Sequence, residues 1–285
     1  MFPVRQKFAW IAALLVALII VTLLISVPAV GQQPSPGFHW PDGKTFALSL
    51  SFDDARESQV DNVLPVLDKH GVKATFFLVP SLAEKRLDGW KRAVVAGHEI
   101  GNHSLHHPCS LNYRFPADNA LENYSLEMMR DELLGTNQWI KDKLNVRASL
   151  FAYPCGQTFV GHGHDTKSYV PLVADAFVVG RGFFIMDAPL ITPLIDPVHS
   201  DLAQLTGISM DNKSFDQVLP LLQQASVDKS WVILVGHDVG PTGAQTTRPL
   251  MLEQLIEYAQ EPKNGIWLSP VGVVTKYVQA HRADK

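Results

Sequence analysis

From Phe38 onward, short apolar runs alternate with segments in which apolar residues recur at the spacing of one helix face. The short runs predict β-strands, and the periodic segments predict amphipathic helices. The predicted strands are 47–52, 74–79, 99–102, 149–153, 177–179, 231–235 and 266–268. The predicted helices are 58–70, 83–96, 126–144, 168–175, 215–225 and 250–259.

The strand-then-helix order repeats along the chain, and this order predicts a parallel sheet with helices outside, because parallel strands need crossover connections. About seven such strands in roughly 240 residues fit a single α/β domain, a distorted (β/α) barrel of seven or eight strands, better than two domains. In such barrels the chemistry lies at the carboxyl ends of the strands.

The N-terminal segment has a different pattern. Residues 8–27 carry no charge, and about 20 apolar residues suffice to cross a bilayer as a helix. Ala29-Val30-Gly31 offers a cleavage site, so 1–31 are a signal peptide or a membrane anchor, and the length of the apolar run favours a retained anchor. Arg5 and Lys7 predict that the rest of the chain is exported.

We expect 32–37 to be a linker and 38–285 to be the barrel. Of the 285 residues 46% are hydrophobic, and 28 acidic against 24 basic residues leave a net charge of −4. This composition excludes a disordered chain and a nucleic-acid binder held by bulk charge.

The first predicted strand ends in Asp53-Asp54. Two adjacent carboxylates at a strand end can divide roles, since one can bind a metal while the other acts as a base. As an isolated pair, they are more typical of a helix cap or a solvated turn.

Three histidines follow the third predicted strand, at 103, 106 and 107. If this segment turns helically, His103 and His107 lie on one face and can share an ion. His103 with His106 is the competing pair, and hydrogen-bonded surface histidines are the alternative to a metal site.

Two further strand ends carry reactive groups. Tyr153-Pro154-Cys155-Gly156 predicts a sharp turn that can aim a backbone N–H at a developing oxyanion. His237 follows the strand 231–235 and is placed to be a general acid. Alone, each of these signals is more often structural.

Taken together, these strand ends resemble the polysaccharide deacetylases, family four of the carbohydrate esterases. The resemblance extends from about residue 38 to 277 and is strongest in the first half. The matching segments are ALSLSFDDA, KHGVKATFFLV, GHEIGNHSLHHP, FAYPCG and ILVGHD.

The resemblance implies a role for each matching residue. Asp53 corresponds to the general base and His237 to the general acid. A divalent metal, usually zinc, is implied with Asp54, His103 and His107 as its ligands, which decides against His106.

Cys155 stands where the family usually has a tyrosine whose backbone amide helps to form the oxyanion hole, and we place Tyr153 with it among the oxyanion and substrate contacts. The chain lacks the family's arginine before Pro154 and shows no match to its Asp–Trp motif between residues 177 and 205. The candidates to replace these groups are Arg181, Asp187, Asp196 and Asp238.

The function implied is a metal-dependent removal of N-acetyl groups from amino sugars of an extracellular or cell-wall glycan. The partner is then an acetylated glycan, with membrane contact through the N-terminal segment if it is retained. An O-acetyl esterase acting on a xylan-type glycan would use the same site, and an inactive glycan-binding barrel is the alternative outside enzymes.

Cys109 and Cys155 are the only two cysteines. If the turns that carry them converge on one metal, the two thiols lie close enough for a disulfide. An oxidising compartment would allow this bond to persist.

Overall fold

A computed structural model describes residues 38–113, 117–185 and 193–282. The predicted anchor or signal peptide and the linker lie outside these residues. Within the described ranges, no helix has the length and apolar character required to cross a membrane.

Within the described residues, eight parallel strands build the main sheet. They are β1 (Phe46–Asp54), β2 (Thr75–Leu78), β3 (Glu99–Asn102), β4 (Leu150–Ala152), β5 (Val179–Arg181), β6 (Gly207–Ser209), β7 (Trp231–Gly236) and β8 (Ile266–Leu268). Seven of them lie in the order β5-β4-β3-β2-β1-β7-β6, and β8 pairs with β1.

The two edges of this sheet meet just beyond the strands. The amide of Gly182 donates to the carbonyl of Leu205 at 2.7 Å, and the amide of Phe184 donates to the carbonyl of Gly207 at 2.7 Å. These bonds nearly close the sheet, so the expectation of an α/β barrel of about seven parallel strands is confirmed.

Helices follow most strands. They are α1 (Leu64–Lys69), α2 (Pro80–Ala83), α3 (Leu87–Val95), α4 (Leu126–Leu144), α5 (Val170–Ala176), α6 (Phe215–Asp228), α7 (Pro249–Gln260) and α8 (Val271–His281). Helix α4 has the predicted bounds, because Ser125 caps its first turn and Asn145 ends it in a left-handed conformation.

Strand β1 alternates between two environments. Its even-numbered residues from Phe46 to Phe52 pack with residues of the surrounding helices, such as Leu67 and Trp90. The odd-numbered residues face the opposite way, where Ser49 accepts a hydrogen bond from the indole of buried Trp231 at 3.0 Å. Since side chains alternate along a strand, Asp53 continues this second row at the carboxyl end.

One detail of the sheet differs from the prediction, because strand β6 was missed. Strand β8 has the predicted bounds, and it pairs with Phe46–Leu48 of β1. Strand β6 has one large apolar residue, Ile208, between Gly207 and Ser209, so it shows no apolar run. The missed strand matters because Asp211, just beyond it, belongs to the candidate site described below.

A substitution at Gly207 can test how tightly the residues around β6 are packed. A Cβ atom there would collide with the side chain of buried Arg181 and would lie 2.8 Å from the carbonyl oxygen of Gly182. We expect Gly207→Ala to lower the free energy of unfolding by about 1–3 kcal/mol, as overpacking does. Gly182→Ala is the matched control, because its Cβ would meet only the carbonyl of Leu205 at 3.5 Å.

Urea unfolding of the two variants and the wild type measures both effects. Equal free energies of unfolding for Gly207→Ala and Gly182→Ala would contradict the packing described here.

Candidate active site

The seven residues predicted to act in catalysis, in oxyanion or substrate contact, or in metal binding all line one pocket of about 790 Å³. They are Asp53, Asp54, His103, His107, Tyr153, Cys155 and His237. The pocket lies where the carboxyl ends of β1, β3, β4 and β7 meet, as expected for a barrel.

A sharp turn at the end of β1 brings the two carboxylates to the same place. Asp54 (φ 77°) and Ala55 (φ 65°) both have left-handed backbone conformations, which cost free energy for residues other than glycine. Arg56 braces the turn: its Nε donates to Asp54 Oδ2 at 2.9 Å and its Nη1 to Asp238 Oδ2 at 2.7 Å. The carboxylates of Asp53 and Asp54 are both buried.

Asp54, His103 and His107 form a compact group of metal-ligating side chains. Asp54 Oδ1 lies 3.5 Å from His103 Nε2 and 3.4 Å from His107 Nε2. Tetrahedral ligands at about 2.0–2.2 Å from a zinc ion are separated by roughly 3.3–3.6 Å, so these atoms fit such an ion. Three protein ligands leave a fourth position open, which is typical of catalytic rather than structural zinc sites.

One of the two ring nitrogens of His103 already makes a hydrogen bond. Its Nδ1 donates to the carbonyl oxygen of Ala152 at 2.9 Å, which leaves Nε2 as the atom that can coordinate. His107 follows a turn in which its own amide donates to Ser104 Oγ at 3.0 Å. These bonds fix the ring of His103 and the backbone of His107, and the Nε2 atoms of both rings lie within 3.5 Å of Asp54 Oδ1.

The protonation states of these groups suit a metal. Burial alone would raise the pKa of Asp54, but the hydrogen bond and the charge of His103, together with the charges of His107 and His237, hold it well below its usual range. Burial and the neighbouring His103 lower the pKa of His107 to about 4, against the opposing charge of Asp54. At neutral pH the carboxylate is thus ionised and His107 is neutral, as metal ligation requires.

His106, the competing ligand, points elsewhere. Its Nδ1 lies 2.7 Å from Glu132 Oε1, its amide donates to Glu132 Oε2 at 2.8 Å, and its side chain is 62% exposed. His106 thus anchors the histidine turn to helix α4 and takes no part in the group around Asp54.

Asp53 is paired with Arg181 from the end of β5. Arg181 Nη2 donates to Asp53 Oδ1 in a fully buried ion pair, and the guanidinium lies over the ring of Phe77 at 4.9 Å. Arg181, one of the four replacement candidates, therefore contacts Asp53 directly. Asp53 Oδ2 lies 3.9 Å from His103 Nε2, beside the metal-ligating group.

His237 is paired with Asp211, a residue that the sequence interpretation missed. His237 Nδ1 donates to Asp211 Oδ2 at 2.6 Å, and Thr247 Oγ1 donates to Asp211 Oδ1 at 2.7 Å. Burial lowers the pKa of His237, but the hydrogen bond to Asp211 and the charges of Asp53 and Asp54 outweigh it, so the pKa lies above its ordinary value.

Asp211 follows β6, beyond the interval 177–205 that the sequence interpretation searched. The signal that could have found it is the short alternation of Ile208 and Met210 with Gly207 and Ser209 directly before it. The acidic candidates play other roles: Asp196 accepts from the amides of Val198 and His199, and Asp238 binds Arg56 and Ser58. Asp187 lies outside the described residues.

The turn after β4 has the predicted sharpness. Cys155 adopts φ 54°, and the amide of Gly156 donates to the carbonyl of Tyr153 at 2.9 Å. A disulfide joins Cys155 to Cys109, with a Cα–Cα distance of 6.0 Å. The Tyr153 hydroxyl donates to the carbonyl of Ala203 at 2.7 Å, so it is engaged within the core and only the rest of the residue lines the pocket.

The remaining wall of the pocket is apolar. Phe183, Phe184 and Ile185 follow β5, and the ring of Phe183 packs edge-on against His237 with centroids 5.5 Å apart. Tyr113 and Ile185 are exposed at the rim, at 59% and 56%. This arrangement offers a small apolar surface beside His237.

Comparison with known proteins points to one family. The model of the polysaccharide deacetylase family matches residues 41–168. The peptidoglycan-N-acetylmuramic acid deacetylase PdaA of Bacillus subtilis is 30% identical over 118 residues, which cover 41% of this chain and 41% of the relative. The chain spans well under half the length of the curated relatives that it matches.

Solved structures share the fold. The family 4 acetyl xylan esterase of Clostridium thermocellum, in complex with a cobalt ion, superposes with a TM-score of 0.50 at 20% identity, covering 81% of this chain and 91% of that one. A mutant of BA3943, described as a pseudoenzyme of the same family, superposes with a TM-score of 0.51 at 22% identity, covering 85% and 71%. Residues 41–168 of this chain thus match the polysaccharide deacetylase family, and the barrel is the fold of solved structures of carbohydrate esterase family 4.

Proposed function

We propose that the protein is a metal-dependent hydrolase that removes N-acetyl groups from amino sugars of a glycan outside the cytoplasm. The observation that carries the proposal is the pairing around the metal-ligating group: Asp53 is held by Arg181, and His237 is held by Asp211. An inactive binding barrel would not need a buried base and a buried acid on either side of one ligand group.

Asp54, His103 and His107 would hold the ion, with zinc as the choice that suits two imidazoles and one carboxylate. Once bound, a divalent metal supplies Lewis-acid polarisation of the acetyl carbonyl.

Asp53 is the general base in this proposal. Arg181 occupies Oδ1, so Oδ2 is the oxygen that accepts the proton of the attacking water. The ion pair with Arg181 fixes the orientation of the Asp53 carboxylate, so Oδ2 stays directed toward the metal-ligating group.

His237 is the general acid. Because Nδ1 is bonded to Asp211, Nε2 carries the proton that passes to the leaving nitrogen of the amino sugar. Asp211 stabilises the imidazolium before this transfer, as a buried carboxylate does for a catalytic histidine.

The Cys155 amide is the oxyanion donor in this scheme. The left-handed turn at Cys155 is braced by the Gly156–Tyr153 bond and by the disulfide, which limits the motion of the donor. A preorganised N–H loses little energy to rearrangement when charge develops on the oxygen. Phe183 provides an apolar surface for the acetyl methyl group beside His237.

An exported location belongs to the same proposal. The uncharged segment 8–27 with Arg5 and Lys7 before it supports export, with the segment retained as an anchor or removed. A disulfide between the only two cysteines is typical of an oxidising compartment. The substrate polymer would be met there.

The reaction class is tested by acetate release from two substrates, an N-acetylated chitooligosaccharide and an O-acetylated xylooligosaccharide. We expect the zinc-loaded protein to release acetate from the first and to leave a free amine. Asp53→Asn should lower this rate by about 10² or more, because the amide cannot accept the proton. The exposed Asp88→Asn is the matched control and should keep full activity.

Acetate from the xylooligosaccharide alone would replace the proposal with an O-acetyl esterase. No acetate from either substrate would favour the glycan-binding barrel.

The pH dependence of kcat/KM tests the role of His237. Its acid form donates the proton, so activity should be present below the raised pKa of His237 and fall as the pH rises through it. Asp211→Asn removes the carboxylate that favours the imidazolium, so the alkaline limb should move to lower pH. Asp196→Asn, the same change in a loop-capping residue, should leave the limb in place. If the alkaline limb of the Asp211→Asn profile stays where it is in the wild type, Asp211 has no part in the mechanism.

A further inference from the structure

His107 stands between two sets of metal-ligating atoms. Its Nε2 lies 3.4 Å from Asp54 Oδ1, within the group described above. Its Nδ1 lies 3.6 Å from Cys109 Sγ, and His107, Cys109 and Cys155 each offer a ligand atom within 4.8 Å of the others. The second group shares only His107 with the first.

The distance between the imidazole and the sulfur fits a metal. A tetrahedral zinc ion with Zn–N of about 2.0–2.1 Å and Zn–S of about 2.3 Å places these two ligands roughly 3.5–3.6 Å apart. The sulfur of Cys155 is bonded to that of Cys109, so neither is a thiolate while the disulfide is intact. The second group can therefore bind an ion only after the disulfide is reduced, when the two sulfurs can separate.

We propose that reduction of the Cys109–Cys155 disulfide creates a second zinc site, formed by the two thiolates and His107 Nδ1, that takes His107 from the first site. A neutral imidazole has one lone pair, so it ligates through Nε2 or Nδ1 but not through both. Two thiolates form the softer ligand set and are well suited to zinc. The reduced protein thus holds its ion away from Asp53 and His237.

The reductant is a dithiol. One of its thiolates attacks the sulfur of Cys155, and the Cys109 thiolate leaves. Cys155 is the sulfur attacked because it lines the pocket, whereas Cys109 is buried. The second thiol of the reductant then closes its own disulfide and frees Cys155. The protein gains two electrons and two protons, and zinc binding to the two cysteines releases those protons to solvent.

This change of zinc site would make the activity of the enzyme depend on whether its compartment is oxidising or reducing. In an oxidising environment the disulfide holds the oxyanion turn against the histidine turn, and His107 serves the first site. In a reducing environment, such as the cytoplasm before export, the same residues sequester zinc and the protein is inactive. The loss of activity rests on the proposed function, whereas the second metal site does not.

Cobalt(II) substitution tests the metal site directly, because a thiolate ligand adds a charge-transfer absorption that nitrogen and oxygen ligands lack. The protein is reduced with a dithiol, freed of the reductant under anaerobic conditions, checked for two free thiols and loaded with cobalt. We expect the charge-transfer band in the reduced protein and its absence in the oxidised protein. Zinc-loaded samples should lose acetate release on reduction and regain it on reoxidation.

Two variants separate the sites. Asp54→Asn removes the first site, so the oxidised variant should bind no cobalt while the reduced variant binds one ion with the charge-transfer band. The double variant Cys109→Ser, Cys155→Ser should show no band under either condition. A reduced Asp54→Asn protein that keeps its far-ultraviolet circular dichroism but shows no band would overturn the second site, whatever the outcome of the activity assays.

Discussion

Buried charge is the constraint on which the rest of this site depends. Asp53, Asp54 and Asp211 all lie at the carboxyl end of one barrel with little exposure to solvent. An unpaired buried carboxylate is costly, so each needs a cationic or hydrogen-bonding partner. Asp53 is paired with Arg181 and Asp211 with His237. Asp54 is surrounded by imidazoles and by Arg56, in an arrangement that a metal ion would complete.

The barrel makes these pairs by joining distant parts of the chain. Asp53 and Arg181 are 128 residues apart, and Asp211 and His237 are 26 residues apart. They meet because β5 and β6 close the barrel, and the absence of a side chain at Gly207 leaves space for Arg181. The disulfide adds a third connection, between the turn that carries His103 and His107 and the turn after β4.

The sequence carried enough information for the barrel and for the residues at the ends of β1, β3, β4 and β7, because those strands have clear apolar runs followed by conspicuous polar residues. Arg181 could be named only as one of several replacements, since an arginine at a strand end does not reveal its partner. Asp211 was missed for a physical reason: β6 has Ile208 as its one large apolar residue and shows no apolar run, so the residue after it did not look like a strand end. The choice between His106 and His107 as a metal ligand depended on the family resemblance. In the structure, His106 contacts Glu132 instead of the group around Asp54.

The central claim is that the adjacent carboxylates have different partners, Arg181 for Asp53 and a metal for Asp54. Zinc stoichiometry of the purified oxidised protein, measured by elemental mass spectrometry after equilibrium dialysis, tests it directly with the same chemical change at two neighbouring positions. The account predicts one zinc per chain in Asp53→Asn, as in the wild type, and none in Asp54→Asn. Retention of zinc in Asp54→Asn with its loss in Asp53→Asn would contradict the assignment.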